Sequence, residues 1–332
     1  MSGRILSTNA YALSPAWLER VDALDRRTLS AARLLVRVIC SARRYDAVVV
    51  DGSVGWRRGY VDLVAAAVIA HLPDGPAVVI TDCSWKVSGN LIDRAACRLG
   101  MKLLDSRSVH YCVRSSEELK LLPERWGMNS SRVVLTPYGH TLTEAEIAEP
   151  SSHEGGVFAG GNALRDYETL IQAVRGLEAE VTIATSLSID PNGRLPANVT
   201  LVPVTPHSRF VDLMRDAEVV VVPFRAGLTR ASGLDTYLSA MGLGNIVVVT
   251  ECPGTHDYIE DGVDGIIVPA EDPAALRAAL EWALDPVNAE ATQAMRERAR
   301  RVASERFTFA RHAEVLLEVV DDAIARRERR KR

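Results

Sequence analysis

The sequence lacks the features that mark zinc, redox and membrane proteins. Its five cysteines form no C-x-x-C pair, so we expect them to be reduced and to lie in or near the core. The longest apolar run, Val64 to Ala70, is far shorter than the roughly 20 residues that span a bilayer. The N-terminus shows no signal-peptide pattern. We therefore expect a cytoplasmic protein without an integral membrane segment.

The sequence also lacks a strong excess of one charge. A net charge of −4 with 25% charged residues gives no global reason to bind nucleic acid or an anionic surface. The one basic run is residues 326–332, where we expect a solvated, frayed end, with contact to phosphates or lipid headgroups as the alternative.

Metal-binding patterns are absent as well. The histidines show no H-x-x-x-H spacing, and no Asp-x-Asp follows a strand, so we expect neither a metal site nor a separate cofactor. His256 is the one histidine that we consider a candidate for a ligand site.

What the sequence does contain is a repeated alternation of short Val- and Ile-rich runs with helical stretches. This alternation predicts an α/β protein with parallel, doubly wound sheets. A length of 332 residues suits two domains of about 150 residues each. Because residues 141–156 are rich in Glu, Ser, Pro and Gly, we place the linker there and the domains over 1–145 and 146–332.

The alternation places the elements as follows. Strands of the first domain are expected at Arg4–Thr8, Ala47–Asp51, Ala77–Asp82, Lys102–Leu104, His110–Val113 and Val133–Pro137. Its helices are expected at Ala16–Cys40, Tyr60–His71, Asn90–Leu99 and Glu117–Trp126. Strands of the second domain are expected at Gly156–Ala159, Val181–Ala184, Val199–Val202, Val219–Pro223, Ile246–Thr250 and Gly265–Val268. Its helices are expected at Tyr167–Arg175, Ser208–Arg215, Ser232–Gly242, Pro273–Leu284 and from Ala289 onward.

The first glycine-bearing loop of the second domain follows its first strand. Gly160, Gly161 and Asn162 lead to Arg165, and Asp166 is placed to cap the next helix. The glycines allow a phosphate to approach the backbone, and Arg165 supplies a cation. The alternative is a tight turn whose glycines serve only its geometry.

A second loop, after the strand that ends at Pro223, carries Arg225 and Arg230. The helix behind it opens with Ser232 and Asp235 as a capping pair. Free amides and the positive end of the helix dipole make such a terminus an anion site, and a diphosphate suits it. The alternative is a structural loop with solvated arginines. A third loop, residues 250–265, lies at another strand end and is expected to face the same ligand.

In their order and spacing, these motifs resemble the nucleotide-binding domain of family 4 (group 1) glycosyltransferases. The resemblance covers roughly residues 110–320. It rests on the Gly160-Gly161 to Tyr167 turn, the Ser232-Gly233 to Met241 helix with Gly244, Asp257-Tyr258-Ile259 through Gly262 and Gly265, and Arg132 to Gly139. It implies the GT-B fold, in which two Rossmann-like domains face a central cleft. It also implies that a final helix, about 308–326, packs back toward the first domain.

The resemblance implies a donor site on the second domain. Arg165 takes the place of the family's phosphate-binding lysine and would stabilise the leaving nucleotide. Ser239 and Ala231 stand where the family often has two glutamates, so the Ser239 hydroxyl would contact the ribose instead. The remaining implied contacts are the amides around Gly160, Gly161, Ser232 and Gly233 for the diphosphate, Thr236 beside them, and Val204 and Thr205 for the base.

Acceptor-binding candidates lie in the first domain. Asp82 follows a buried strand and could orient an acceptor hydroxyl or act as a base, with Trp85 as a stacking platform. Ser53 and Trp56 lie in another strand-end loop. The alternatives are a capping aspartate beside a packed tryptophan, and a plain surface loop.

The resulting hypothesis is a glycosyltransferase of hexosyltransferase type that moves a sugar from a nucleoside-diphosphate donor to an acceptor. By resemblance, the transfer retains the anomeric configuration, and it needs no metal. One alternative is a catalytically silent homologue that binds a nucleotide or a partner. Another is a nucleotide-sugar epimerase, which should need paired carboxylates. A dinucleotide dehydrogenase is disfavoured because no G-x-G-x-x-G follows the first strand.

Overall fold

The structure is a computed structural model that describes most of the chain. It covers residues 3–9, 14–24, 29–52, 61–83, 85, 91–153, 155–189, 195–203 and 206–332, with the backbone alone for 91–97 and 331. The chain forms two compact units: Met1–Pro137 with Phe309–Arg332, and Tyr138–Thr308. None of the described helices combines the length and the apolar character that crossing a membrane requires.

The boundary between the units lies at Pro137–Tyr138, eight residues before the predicted one at 145/146. The segment that we expected to be a linker is structured within the second unit. It contains the helix α6 (Glu144–Ala148), whose N-cap Thr143 forms a capping box with Glu146. Leu142 is buried in the core of the second unit, and this burial fixes the segment there. The last helix, α13 (Phe309–Lys331), belongs to the first unit.

The first unit is built on a six-stranded parallel sheet of order β2-β1-β3-β4-β5-β6. Val-rich strands such as β4 are buried along their whole length, as parallel strands covered on both faces require. The strands are β1 (Ile5–Ser7), β2 (Val21–Ala23), β3 (Ala47–Asp51), β4 (Ala77–Thr81), β5 (Val109–Val113) and β6 (Val133–Leu135). The other helices of this unit are α1 (Pro15–Arg20), α2 (Ala31–Ser41), α3 (Val61–Ala70), α4 (Leu91–Leu104) and α5 (Ser116–Trp126).

Two secondary-structure predictions and one cysteine prediction for the first unit are wrong. The helix expected over Ala16–Cys40 is instead α1, the edge strand β2 and α2, because the chain extends at Val21 and pairs with β1. Lys102–Leu104 is not a strand but the last turn of α4, whose buried Leu104 faces the core. Cys40 is exposed rather than in or near the core, whereas the three other cysteines with described side chains are buried.

The second unit is built on a parallel sheet of order β12-β11-β10-β7-β8-β9. All six predicted strands are confirmed to within a residue at either end. They are β7 (Val157–Gly160), β8 (Val181–Ala184), β9 (Val199–Val202), β10 (Val219–Val222), β11 (Ile246–Thr250) and β12 (Ile266–Val268). The helices are α6, α7 (Tyr167–Val174), α8 (His207–Asp216), α9 (Leu234–Leu243), α10 (Thr255–Tyr258), α11 (Pro273–Leu284) and α12 (Ala289–Arg306).

Each sheet has one point where the chain reverses the direction in which it adds strands. In the second unit β7 and β10 are neighbours, and the chain continues from β7 toward β8 but from β10 toward β11. In the first unit β1 and β3 are related in the same way. Ligands of such sheets bind beyond the carboxyl ends of the strands at the point of reversal. The loops after β7 and β10 are therefore where a ligand site is expected in the second unit.

Candidate functional site

The loops after β7 and β10 are tied together by their backbones. Arg165, from the first loop, forms an isolated antiparallel bridge with Phe224, which follows β10. Phe224 is held in turn by Thr250, whose Oγ1 accepts from the Phe224 amide at 2.5 Å. Asp166 caps α7 by accepting from the Thr169 amide at 3.1 Å, which confirms the predicted cap. The backbone of Arg165 is thus held by its bridge to Phe224 and by the capped start of α7 that follows it.

The Arg165 side chain is buried, with 4% of its surface exposed. Its Nε donates to the Gly160 carbonyl at 3.0 Å, and Nη1 donates to the Ala163 carbonyl at 3.0 Å. Nη2 donates to Thr236 Oγ1 at 3.2 Å, and the guanidinium lies 4.9 Å from the centroid of the Phe224 ring. These contacts hold the guanidinium between the loop after β7, Phe224 and the first turn of α9.

The charge of Arg165 has no anionic partner in the described part of the chain. No carboxylate there forms an ion pair with it. Burial lowers the pKa of Arg165 from its usual value, yet a guanidinium stays protonated in proteins. A buried cation without a counter-charge is costly, and a bound anion would remove that cost.

Two glycines make room for this side chain. Gly161 has φ +108°, and a Cβ there would lie 2.9 Å from Arg165 Nη2. Gly233 has φ +64°, and a Cβ there would lie 2.6 Å from Phe224 Cζ and 3.0 Å from Arg165 Nη1. Both glycines therefore serve close packing around the guanidinium as well as the left-handed backbone.

The N-terminus of α9 is not capped by a side chain. Its N-cap is Gly233, so Ser232 lies one position too early to cap, and Ser232 Oγ is buried without a hydrogen-bond partner. Asp235 instead accepts from the amide and hydroxyl of Thr141, at 3.1 and 2.8 Å. The predicted Ser232–Asp235 capping pair is therefore wrong. The lack of a capping side chain still favours an anion site at this terminus. The helix dipole and the first amide groups there are not satisfied by a side chain.

The two helix positions predicted near the nucleotide share one face of α9. Thr236, which binds Arg165, and Ser239 are three residues apart. Ser239 is buried, as is Ala231, the other position where the family often has glutamate. The role of Ser239 at a ribose stays a prediction.

The other predicted donor contacts lie at the edge of this region. Asn162 is exposed, and its Oδ1 accepts from Thr185 Oγ1 and the Ser186 amide, both at 2.8 Å, so it supports the loop after β8. Arg225 is exposed and lies 3.4 Å from the Arg165 carbonyl.

Four further residues were candidates for this site. Arg230 is half-buried and has a partner. His256 is exposed, 3.5 Å from a carboxylate oxygen of Glu251. Val204 and Thr205 lie outside the described residues.

In the first unit, two of the predicted acceptor residues, Asp82 and Trp85, contact other parts of the protein. Asp82 has φ +53° at the end of β4 and pairs with Arg114 Nε at 3.1 Å. Trp85 Nε1 donates to the Gly52 carbonyl at 2.8 Å, and the Trp85 ring packs edge-on against Tyr111, 6.1 Å between centroids. Ser53 and Trp56 lie outside the described residues. An acceptor role for any of these residues stays a prediction.

Glu118 lies beside the Asp82–Arg114 pair. Ser115 caps α5 by accepting from the Glu118 amide at 3.1 Å. The Glu118 carboxylate accepts from the Arg114 amide at 3.1 Å. Burial raises the pKa of Glu118 to about 7, with the nearby Asp82 charge adding to the effect. A carboxyl that titrates near neutral pH thus lies beside the Asp82–Arg114 pair.

No group of three or more His, Cys, Asp or Glu side chains within the described ranges has the arrangement of a metal site.

Comparison with known proteins places the second unit in context. Residues 157–285 match the family model of glycosyl transferases group 1. A search of curated proteins finds no match.

Solved structures resemble the whole chain. A glycosyltransferase from Rickettsia africae is 14% identical with a TM-score of 0.66, over 96% of this chain and 90% of that one. HepE of Anabaena, in complex with UDP, is 13% identical with a TM-score of 0.70, over 96% of this chain and 100% of that one. Sucrose-phosphate synthase from Thermosynechococcus elongatus is 16% identical with a TM-score of 0.64, over 92% and 84%. At these identities the likeness shows the fold. The chain has the two-sheet α/β architecture of GT-B glycosyltransferases, and its second unit carries the match to the group 1 family.

Proposed function

We propose that this protein is a glycosyltransferase that moves a sugar from a nucleoside-diphosphate donor to an acceptor. One observation carries the proposal. A buried guanidinium, Arg165, has no carboxylate partner among the described residues and lies where the second sheet reverses, beside the uncapped N-terminus of α9. A diphosphate supplies the missing negative charge, and amides and arginine are its usual ligands.

The comparisons support the same class of ligand. The family match covers both loops of this site, since residues 157–285 include Arg165 and the start of α9. HepE of Anabaena has been solved with UDP and with UDP-glucose. We propose that the second unit of this protein binds a ligand of that type.

In the proposed reaction, the bond between the sugar's anomeric carbon and the diphosphate oxygen breaks. The electron pair leaves with the diphosphate, and a new bond forms to an acceptor oxygen, whose proton is lost. Arg165 and the amides at the start of α9 would stabilise the charge that develops on the diphosphate. We propose that this charge stabilisation needs no metal, that the anomeric configuration is retained, and that Asp82 orients the acceptor hydroxyl or accepts its proton.

A second candidate is a silent homologue that binds a nucleotide without transferring sugar. It is favoured by Ala231 and Ser239, which stand where relatives often have glutamates. We propose a cytoplasmic location for either form.

The test is a thermal-shift screen with UDP, GDP, dTDP and NAD, each in the presence and absence of a sugar. One nucleoside diphosphate should stabilise the chain, by about 2.7 kcal/mol at a hundred times its Kd. If NAD were the one nucleotide that stabilised the chain, or if none of the nucleotides did, the proposal would be rejected. Slow hydrolysis of the matching nucleotide sugar without an acceptor would identify an enzyme, whereas binding without hydrolysis or transfer would identify the silent homologue.

A further inference from the structure

A basic pocket lies at the amino ends of β4 and β5, whereas Asp82 follows the carboxyl end of β4. The pocket has a volume of about 290 Å³, and Pro76 and Ser108, which immediately precede β4 and β5, line it. Asp82 follows the other end of β4, a strand of five residues, so the two places are separated by about 16 Å of strand. This pocket is therefore distinct from the strand ends where the first unit would hold an acceptor.

Three arginines converge on this pocket from two parts of the chain. Arg107 comes from the loop before β5, and Arg327 and Arg330 come from the last turns of α13. Arg327 Nη2 donates to the Asp74 carbonyl at 2.8 Å, and Arg330 Nη1 donates to the Arg107 carbonyl. These bonds anchor the end of the helix over the pocket, so the basic tail is held in place where the sequence had indicated a frayed end.

Neighbouring arginines form ion pairs with carboxylates, whereas these three form none within the described part of the chain. Arg132 pairs with Asp105 at 2.7 Å, and Arg326 pairs with Asp322 at 2.6 Å. Across the described residues, no ion pair involves Arg107, Arg327 or Arg330.

Two further observations mark the pocket as short of negative charge. Arg327 Nε is buried without a hydrogen-bond partner. Burial and the charges of Arg107, Arg132 and Arg326 lower the pKa of Arg330. One carboxylate, that of Asp74, also lines the pocket and has its own interaction.

The rest of the lining suits a phosphate group with an apolar neighbour. The hydroxyls of Ser106 and Ser108 lie at the pocket, both within hydrogen-bond distance of the Ala70 carbonyl, at 3.1 and 3.3 Å. Ile69, Leu72 and Ala323 supply apolar surface. Because both hydroxyls donate to the Ala70 carbonyl, the donors to a phosphate are the guanidinium groups, which bind phosphate oxygens in pairs.

We propose that this pocket binds a phosphate group, either free in solution or on a lipid headgroup, through Arg107, Arg327 and Arg330. The site belongs to the first unit and does not depend on the proposed donor site in the second.

The experiment compares two double variants of the full chain that lose the same charge. Arg327→Gln/Arg330→Gln removes two arginines that line the pocket, whereas Arg329→Gln/Arg332→Gln removes two arginines of the same tail that do not line it. Each is titrated calorimetrically with inorganic phosphate and is sedimented with vesicles of phosphatidylcholine, with and without phosphatidylglycerol. Phosphate bound near Arg165 affects both variants equally, so the difference between them reports on this pocket alone.

We expect the native chain and the control to bind equally, and the pocket variant to bind about tenfold more weakly or worse, as loss of charge-assisted hydrogen bonds implies. Loss of phosphate binding would indicate a soluble ligand, and loss of phosphatidylglycerol vesicle binding would indicate a headgroup. Equal weakening in both double variants, or no binding of either probe by the native chain, would overturn the proposal. Thermal melts verify folding, and Arg330→Gln alone serves if the double variant is unfolded.

Discussion

The carboxyl ends of the strands differ in charge between the two units. In the first unit, Arg114 is paired with Asp82 and lies beside Glu118, so the cation there is balanced within the protein. In the second unit, Arg165 is more deeply buried and bonds only neutral oxygens among the described residues. A balanced cation contributes to folding, whereas an unbalanced one is suited to a ligand. The same sheet type thus supports two kinds of strand end.

Among the variants that test this difference, Arg165→Ala has the largest expected effect. We expect nucleoside-diphosphate affinity to fall by about 1.5–3 kcal/mol, roughly 10- to 100-fold, because a charge-assisted contact is lost. Calorimetry measures the affinity, and Arg165→Lys, which keeps the charge, should recover part of it. Arg114→Ala is the matched control in the first unit and should leave the affinity unchanged. Equal losses in both alanine variants would remove the distinction between the units.

The next test is Glu118→Gln, which concerns the first unit. The pKa of Glu118 is about 7 in the folded state, against a usual value of 4.5. Between pH 4.5 and pH 7, Glu118 therefore binds a proton more readily in the folded state than in the unfolded state. Its contribution to stability is therefore present at acid pH and lost as the pH rises through 7. Glutamine should make the chain more stable than the native form at pH 8, by on the order of 1–3 kcal/mol, with little difference at pH 4.5.

Urea unfolding at the two pH values measures this effect. Glu117→Gln, which removes the adjacent carboxylate in the same helix turn, is the control for the loss of one negative charge. A gain for Glu118→Gln that is the same at both pH values would contradict the assigned cause.

The smallest expected effects come from two serines that precede helices. Ser232 Oγ has no partner, so Ser232→Ala should change stability by less than about 0.5 kcal/mol. It should still weaken diphosphate binding by about tenfold, the low end of the range for a hydrogen bond to a charged group. Ser115 caps α5, so Ser115→Ala should cost about 1 kcal/mol of stability and leave binding unchanged. Thermal melts and calorimetry on both variants would show whether Ser232→Ala mainly affects binding and Ser115→Ala mainly affects stability.

Sequence patterns predicted all six strands of the second sheet but missed one strand of the first, β2. β2 was missed because three residues at a sheet edge, Val21–Ala23, carry too little pattern and owe their conformation to pairing with β1. The boundary was misplaced because the polar composition of residues 141–156 conceals the buried Leu142.

At the candidate site, residue types were predictable but their partners were not. The glycines and Arg165 are visible in the sequence as a strand-to-helix turn. The contact of Arg165 with Thr236 joins residues 71 positions apart, and that of Asp235 with Thr141 joins residues 94 apart. Local capping rules assign Asp235 to its own helix, whereas tertiary structure gives it to a distant loop. Nonlocal contacts of this kind follow from packing, which no short motif contains.

The membership of α13 in the first unit has a consequence for biosynthesis. Leu316, Leu317 and Val320 of this helix form one apolar cluster with Trp17 and with strands of the first sheet. These residues follow the whole second unit in the chain, so they are synthesised after it. The amino-terminal half therefore lacks part of the cover of one sheet face until α13 has been made, whereas the second unit can fold before that point.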